Sequence, residues 1–323
     1  MATYKGIQGY SVQKLSDDPT AAEAVGQLWY NSSAGKFKIS TQGAGAWATG
    51  GNMNTARYEL TGTGTQTAAL AAAGDTGSIS DKAETYDGST WTEVNAINTA
   101  RDQVASSGTT TSGLIFGGTP PTSGLAITES YNGSTWTEVA DLTSARRALT
   151  GAGATNTAAL AFSGYISANS LLTETYNGTS WTEVNDLNTA RRNACGGGTN
   201  TSALMVAGYG TDYTALTESW NGTSWTEVNN INTARAGMGA GVTDSTSGVV
   251  FGGDDPTGNV GLTESWNGTS WTETGDLATT RSSLAGAGTS SAGLAFGGND
   301  PPATNATEEF TNPVYTIKTV TVS

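Results

Sequence analysis

The 323-residue chain contains no histidine and a single cysteine, Cys195. These absences exclude an intrachain disulfide, Cys/His zinc sites and any catalytic triad that depends on histidine. Cys195 lies in the run ARRNACGGG, where nothing activates a thiol, so a small buried core residue is expected there. Basic residues are scarce as well: 14 Lys and Arg stand against 28 Asp and Glu, for a net charge of −14. So few cations cannot gain affinity by releasing counterions from phosphates, which argues against nucleic-acid binding and against anionic membranes. No stretch approaches the roughly 18 apolar residues needed to cross a bilayer. The opening MATYKGIQGYSVQKLSDD has no apolar core of the kind a secretory signal carries. The residues present call for no metal and no cofactor.

Glycine is abundant, with 44 residues, and only 13% of the chain is charged. Such a composition can accompany disorder. Here the apolar positions are too regular for that. Trp47, Trp91, Trp136, Trp181, Trp225 and Trp271 are separated by 44, 45, 45, 44 and 46 residues. Ten residues after each comes an arginine: Arg57, Arg101, Arg146, Arg191, Arg235 and Arg281. A period of this length indicates one supersecondary unit repeated in space, so that stacked copies bury a continuous core.

Residues 146 to 190 serve as the type unit and read as four strands. A small, Gly-rich strand is expected near 147–153, an apolar one at 158–162, a third at 172–176 and a fourth at 181–184. The small first strand suits a crowded centre where units converge, and short apolar runs bounded by turn residues suit buried strands. The third and fourth strands are joined by Asn177-Gly178-Thr179-Ser180, a hairpin signal because both Asn and Gly tolerate positive φ. The same turn recurs at Asp87-Gly88, Asn132-Gly133, Asn221-Gly222 and Asn267-Gly268. Most of these runs also match glycosylation sequons, but the turn accounts for them without a secretory context. Tyr86, Tyr131, Tyr176, Trp220 and Trp266 on the third strand, with the periodic Trp on the fourth, are expected to point between neighbouring units. Each third strand also carries a glutamate: Glu84, Glu129, Glu174, Glu218, Glu264 and Glu308. Six repeat arginines and six repeat glutamates suggest six buried pairs that fix register.

The order of features in each unit is a small-residue doublet, an aromatic residue, a Trp, and an Arg that opens the next unit. The doublets are Ala73-Gly74, Gly117-Gly118, Ser163-Gly164, Ala207-Gly208, Gly252-Gly253 and Gly297-Gly298. This pattern resembles the kelch repeat, which folds as one four-stranded propeller blade. The resemblance implies an all-β, six-bladed kelch-like β-propeller over residues 44–323, with blades starting near 57, 101, 146, 191, 235 and 281. Three doublets have Ala or Ser in place of the first Gly, and the last unit lacks both the Asn-Gly turn and a final Trp. Trp47 precedes the first Arg, so residues 44–50 are expected to supply the missing outer strand and close the ring. The alternating tail Val314 to Val322 competes for that role.

The resemblance also assigns two faces. One carries uniform tight turns; the other carries varied loops and the varied residues that follow each repeat Arg. Varied loops on a rigid scaffold are where binding residues concentrate. The candidates are Tyr58, Glu59, Gln103, Arg147, Tyr165, Arg192, Asn193, Tyr209, Tyr213, Asp254 and Asp255, with Tyr and Arg supplying anchoring area and directional hydrogen bonds.

Residues 1–43 break the period. In GQLWYNSSAGKFKIS, Leu28-Trp29-Tyr30 and Phe37-Lys38-Ile39 flank a Ser-Ser-Ala-Gly turn and read as a hairpin. This segment is similar to the N-terminal regions of tailed-phage virion proteins. That similarity implies a non-enzymatic structural or adhesion protein, located on the particle and docked to other virion proteins through residues 1–43. It would be present as a homo-oligomer or in many copies, as a tail, fibre or capsid decoration. Its propeller would contact a host-surface glycan or protein, or a neighbouring virion subunit. The alternatives are a soluble kelch-type adaptor and a propeller enzyme. Galactose-oxidase-like copper chemistry relies on histidine, which is absent. The sialidase-like run Asp87-Gly88-Ser89-Thr90-Trp91 is one residue short of an Asp-box, and the arginines are periodic rather than clustered.

Overall fold

The structure, a computed structural model, describes residues 12–19, 24, 26–120, 123–312 and 314–320. Every regular element among them is a β-strand. The chain divides into two compact units, Met1–Gly45 with Asn312–Ser323, and Ala46–Thr311.

Among the described residues, the smaller unit holds one four-stranded sheet. Its hairpin pairs Leu28–Asn31 with Lys36–Ile39, Gln13–Leu15 runs parallel to one edge, and Val314–Thr319 is antiparallel to Lys38–Gly43. Asp18 organises the hairpin: one carboxylate oxygen accepts from Trp29 Nε1 at 3.0 Å and from Asn31 Nδ2 at 2.7 Å. These bonds hold its pKa below the usual carboxylate range. The pairing of Val314–Thr319 corrects the expected boundary. The tail does not close the ring, and the repeat unit ends at Thr311 rather than at residue 323.

Among the described residues, the larger unit contains six four-stranded antiparallel sheets and a two-stranded ribbon, Asp254–Asp255 with Gly258–Asn259. In the third sheet the strands are Thr150–Thr155, Ala158–Phe162, Thr173–Tyr176 and Trp181–Val184. The first strand therefore begins three residues later than its sequence pattern suggests. Arg147 instead forms a single bridge to Tyr165, and Ala148 adopts φ of 51°, which no strand tolerates. The sixth sheet takes its outer strand, Ala46–Thr49, from the start of the unit, paired with Glu308–Thr311.

The first strands of the six sheets neighbour one another in a closed cycle. Small side chains permit that approach: a Cβ on Gly151 would fall 2.4 Å from the carbonyl oxygen of Ser106 on the adjacent sheet. Two belts of backbone hydrogen bonds run around this cycle. In the inner belt each N–H donates to the preceding sheet, from Glu59 to Ser283, Gln103 to Glu59, Ala148 to Gln103, Asn193 to Ala148, Gly237 to Asn193 and Ser283 to Gly237, at 2.7–3.1 Å. In the outer belt the second doublet glycine donates to the carbonyl of the next repeat Arg. The circuit is completed by Gly298 N–H to Arg57 O at 2.9 Å. Ring closure thus rests on identical bonds at all six seams.

Each repeat arginine is fully buried and paired with its third-strand glutamate at 2.5–3.0 Å. The other carboxylate oxygen accepts a backbone N–H three residues before the Arg, as from Asn188 N to Glu218 at 2.8 Å. The glutamate thereby fastens the strand-to-sheet crossing as well as the cation.

The indoles fill the seams between sheets. Trp91, Trp181, Trp225 and Trp47 each meet a phenylalanine of the preceding sheet, at 4.8–4.9 Å between centroids (Phe296, Phe116, Phe162 and Phe251). Each also donates Nε1 to a threonine hydroxyl of that sheet, at 2.9–3.1 Å. In the two remaining seams Ala72 and Val206 stand where Phe is found elsewhere. There Trp136 and Trp271 donate to the carbonyls of Asn95 and Asn229 instead.

The four-residue turns differ from expectation in one respect. Only the glycine takes positive φ, 89–93° across the five turns. The Asn or Asp acts through its side chain, whose Oδ1 accepts the N–H groups two and three residues on, as Asn177 does from Thr179 and Ser180.

Candidate functional site

The inner belt is also the rim of an opening. Glu59, Gln103, Ala148, Asn193, Gly237 and Ser283 surround the mouth of a central cavity of about 160 Å3, which continues down the first strands to Cys195 and its counterparts. All six rim residues have φ between 50° and 61°. That conformation is costly for every member but Gly237 and, to a lesser degree, Asn193. The belt hydrogen bonds hold them in it. Cys195 is buried beneath the rim, and burial pushes its thiol up to about 12, which disfavours the thiolate at neutral pH.

Outside the rim, the residue after each repeat Arg bridges the residue after each doublet. These pairs are Tyr58 with Asp75, Asp102 with Thr119, Arg147 with Tyr165, Arg192 with Tyr209, Ala236 with Asp254, and Ser282 with Asn299. The fold therefore brings two sets of varied positions into register around the mouth.

Six of the candidate residues form one continuous ladder across the third, fourth and fifth sheets. The Arg147 guanidinium lies over the Tyr165 ring at 5.3 Å. Arg192 lies over Tyr165 at 5.1 Å and over Tyr209 at 4.9 Å. Tyr209 packs edge-on against Tyr213 at 5.3 Å, and the Tyr213 hydroxyl donates to the Asp254 carboxylate. That hydrogen bond, ahead of burial, raises the Tyr213 phenol to about 12. All six side chains are half-buried: packed on one side, open on the other. Asn169, absent from the sequence candidates, holds the ladder in place. Its Oδ1 accepts from Arg192 Nη1 at 2.8 Å, and its Nδ2 donates to Gly210 O at 2.9 Å. No periodic signal marks it, because the aligned loops differ in sequence.

Tyr58, Glu59 and Gln103 belong to a second cluster, with Asp75 and Asp102. Gln103 Nε2 donates to Glu59 Oε1 at 3.0 Å. Asp102 is 6% exposed, and burial, then the adjoining Glu59, raise its carboxyl to about 7. Burial also raises Glu59, while its bond from Gln103 lowers it. Asp255 joins neither group. Its carboxylate accepts from Thr257 N and Oγ1 within its own turn, which lowers its pKa. Asn193 is an exposed rim residue.

The raised Asp102 carboxyl has a measurable consequence. Below pH 3.8 the folded and unfolded chains both hold this proton; between there and about 7 only the folded chain does. Stability is therefore expected to fall as pH rises through that window, by roughly 2–4 kcal/mol in all. Denaturant titrations at pH 4, 5.5 and 7 should show Asp102→Asn losing that decline. A variant with the same slope as the parent protein would refute the assignment.

No metal-holding group of His, Cys, Asp or Glu side chains occurs among the described residues. Among them, too, no helix is long and apolar enough to cross a membrane.

No protein-family model matches the chain, and no curated protein sequence does. Among solved structures it is similar to that of YjhT, a β-propeller, with a TM-score of 0.71 at 13% identity, over 84% of this chain and 100% of that one. At such low identity the likeness speaks for architecture only, and with the cycle of four-stranded sheets it makes the repeat unit a β-propeller.

Proposed function

We propose that this chain is a six-bladed, kelch-type propeller that serves as a non-enzymatic binding module of a tailed-phage particle. The varied face would engage a glycan or protein of the host surface, and the N-terminal unit would dock to the virion. Two belts with six members each and six Arg–Glu pairs support the blade count. The doublet, aromatic and arginine order supports the kelch reading. For the smaller unit, the similarity of its hairpin to virion proteins supports docking, as do the exposed apolar side chains of Leu28 and Phe37 on its sheet and of Val12 and Val320 next to the ends of its strands, 40–45% exposed.

The observation that carries the binding role is the Arg147–Tyr165–Arg192–Tyr209–Tyr213–Asp254 ladder. Aromatic rings and guanidiniums prearranged on a rigid rim bind with little loss of side-chain freedom. Two measurements test the proposal. Mass spectrometry of purified particles should detect the chain; particles without it would remove the virion role. Immobilised full-length protein should retain a host-surface glycan or protein, and Tyr209→Ala should weaken that retention about tenfold or more, since it removes an anchoring ring from the middle of the ladder. Retention unchanged by the substitution would move binding away from this face.

A further inference from the structure

The distribution of positive charge singles out one place on the propeller. Nine Lys and Arg fall within Ala46–Thr311, against 25 Asp and Glu. Six of the nine are the repeat arginines, each buried against its glutamate. Lys82 is bound to Glu93 at 3.0 Å. The remaining two are Arg147 and Arg192, and among the described residues neither has a carboxylate partner within ion-pair distance. They come from adjacent sheets, yet both lie over the one Tyr165 ring.

Stacking determines what these guanidiniums can still do. An arginine laid on an aromatic ring uses its face and keeps its N–H groups in its own plane, as a fork matched to a carboxylate. In Arg192 one of those groups is taken by Asn169 Oδ1, which fixes the rotation of the plane. Arg192 is held by that bond and by two rings, and Arg147 by one ring, so an anion would bind with a smaller entropic loss than at freely moving side chains. Tyr209 and Tyr213, next along the ladder, offer ring surface to the apolar face of a sugar.

We infer that Arg147 and Arg192 read a carboxylate on an acidic saccharide whose charges are spaced apart along the chain. This rests on the glycan-binding reading above. The spacing follows from the rest of the surface. A net excess of 16 acidic groups on this unit repels a dense polyanion, whereas a single carboxylate delivered to the two free cations meets only their local field. Asp75, bridged to Tyr58 on one flank, and Asp254, at the far end of the ladder, confine that field to the two arginines.

The test is a glycan array carrying acidic saccharides beside their carboxyl-reduced counterparts, probed with the full chain and its variants. Arg147→Gln and Arg192→Gln are half-exposed changes and should melt like the parent protein. The expected result is retention by acidic members, lost on carboxyl reduction and reduced about tenfold or more by either Gln variant. Arg192→Lys, which keeps charge but not the planar fork, should recover only part, and retention should weaken as salt is raised. Equal retention by reduced members, with no effect of Arg192→Gln, would overturn the carboxylate inference and leave glycan binding intact. Preference for densely sulfated members would overturn the spacing argument and with it the inference. Failure of the folded protein to retain any member would remove both the inference and the glycan reading.

Discussion

Replacing Arg191 by Met is expected to destabilise the propeller by about 3–5 kcal/mol, because it strands a buried carboxylate. Arg191 is fully buried, and its Nη1 donates to Glu218 at 2.6 Å and to Thr189 O at 3.1 Å, while its Nε donates to Ala207 O at 3.0 Å. Burial pulls the guanidinium below its ordinary pKa, and Glu218 pushes back. The pair is therefore compensated rather than strongly favourable, and the large effect comes from leaving one half alone. Glu218 has further work: it accepts the N–H and the side-chain amide of Asn188, both at 2.8 Å. Gln at 218 keeps an acceptor for that N–H without a charge. The double variant Arg191→Met with Glu218→Gln should thus recover a substantial part of the loss seen in Arg191→Met alone. Denaturant midpoints for the parent, both single variants and the double variant give the coupling directly. A single Arg191→Met variant as stable as the parent would show that the pairs do not hold the blades.

Much of this was legible because it repeats. The six-fold recurrence of Arg and Glu pointed to pairing, and the spacing of Trp to a stacked unit, since periodicity averages away local accidents. The second strand, Ala158–Phe162, and the fourth, Trp181–Val184, lie where the sequence pattern puts them. The belts were not legible. They are built from backbone N–H and C=O groups of residues as unlike as Glu59, Ala148 and Ser283, so no side-chain signature announces them. The late start of the first strand has the same origin, because the positive φ at Ala148 is imposed by the belt rather than by alanine. The fate of the tail was likewise beyond a local reading. An alternating strand such as Val314–Thr319 fits any open edge of matching register, and the edge it takes belongs to the other unit. Within the varied face, loop position identified the members of the ladder but not their order. Arg147 and Arg192 are 45 residues apart and meet at Tyr165 only because adjacent sheets bring successive repeats together. Asp102 carries no sequence signal that sets it apart from other acidic residues; burial in the folded ring, then the adjoining Glu59, are what raise its carboxyl.

Truncating Trp181 to Ala should cost about 3–5 kcal/mol, while the same change at Trp271 should cost measurably less. The two indoles occupy equivalent outer-strand positions and are similarly buried, at 5% and 7% exposure. Their surroundings differ. Trp181 lies 4.9 Å from Phe116 of the preceding sheet and donates to the hydroxyl of Thr128, a threonine with no exposed surface. Its removal opens a cavity lined by rigid rings and leaves a buried hydroxyl short of a partner, two penalties that add. Trp271 faces the seam where Val206 replaces Phe, and its Nε1 donates to Asn229 O. That carbonyl belongs to a part-buried contact, where water can replace the indole. Trp181→Phe separates the two penalties: it keeps most of the ring and loses the hydrogen bond, for an expected loss of roughly 1–2 kcal/mol. Because inter-sheet belts close the ring, a weakened seam should lower the midpoint of one cooperative transition and leave its denaturant slope unchanged. Equal losses at Trp181 and Trp271 would mean that area alone governs the seams. A separate early transition for either variant would mean that the belts do not couple the sheets.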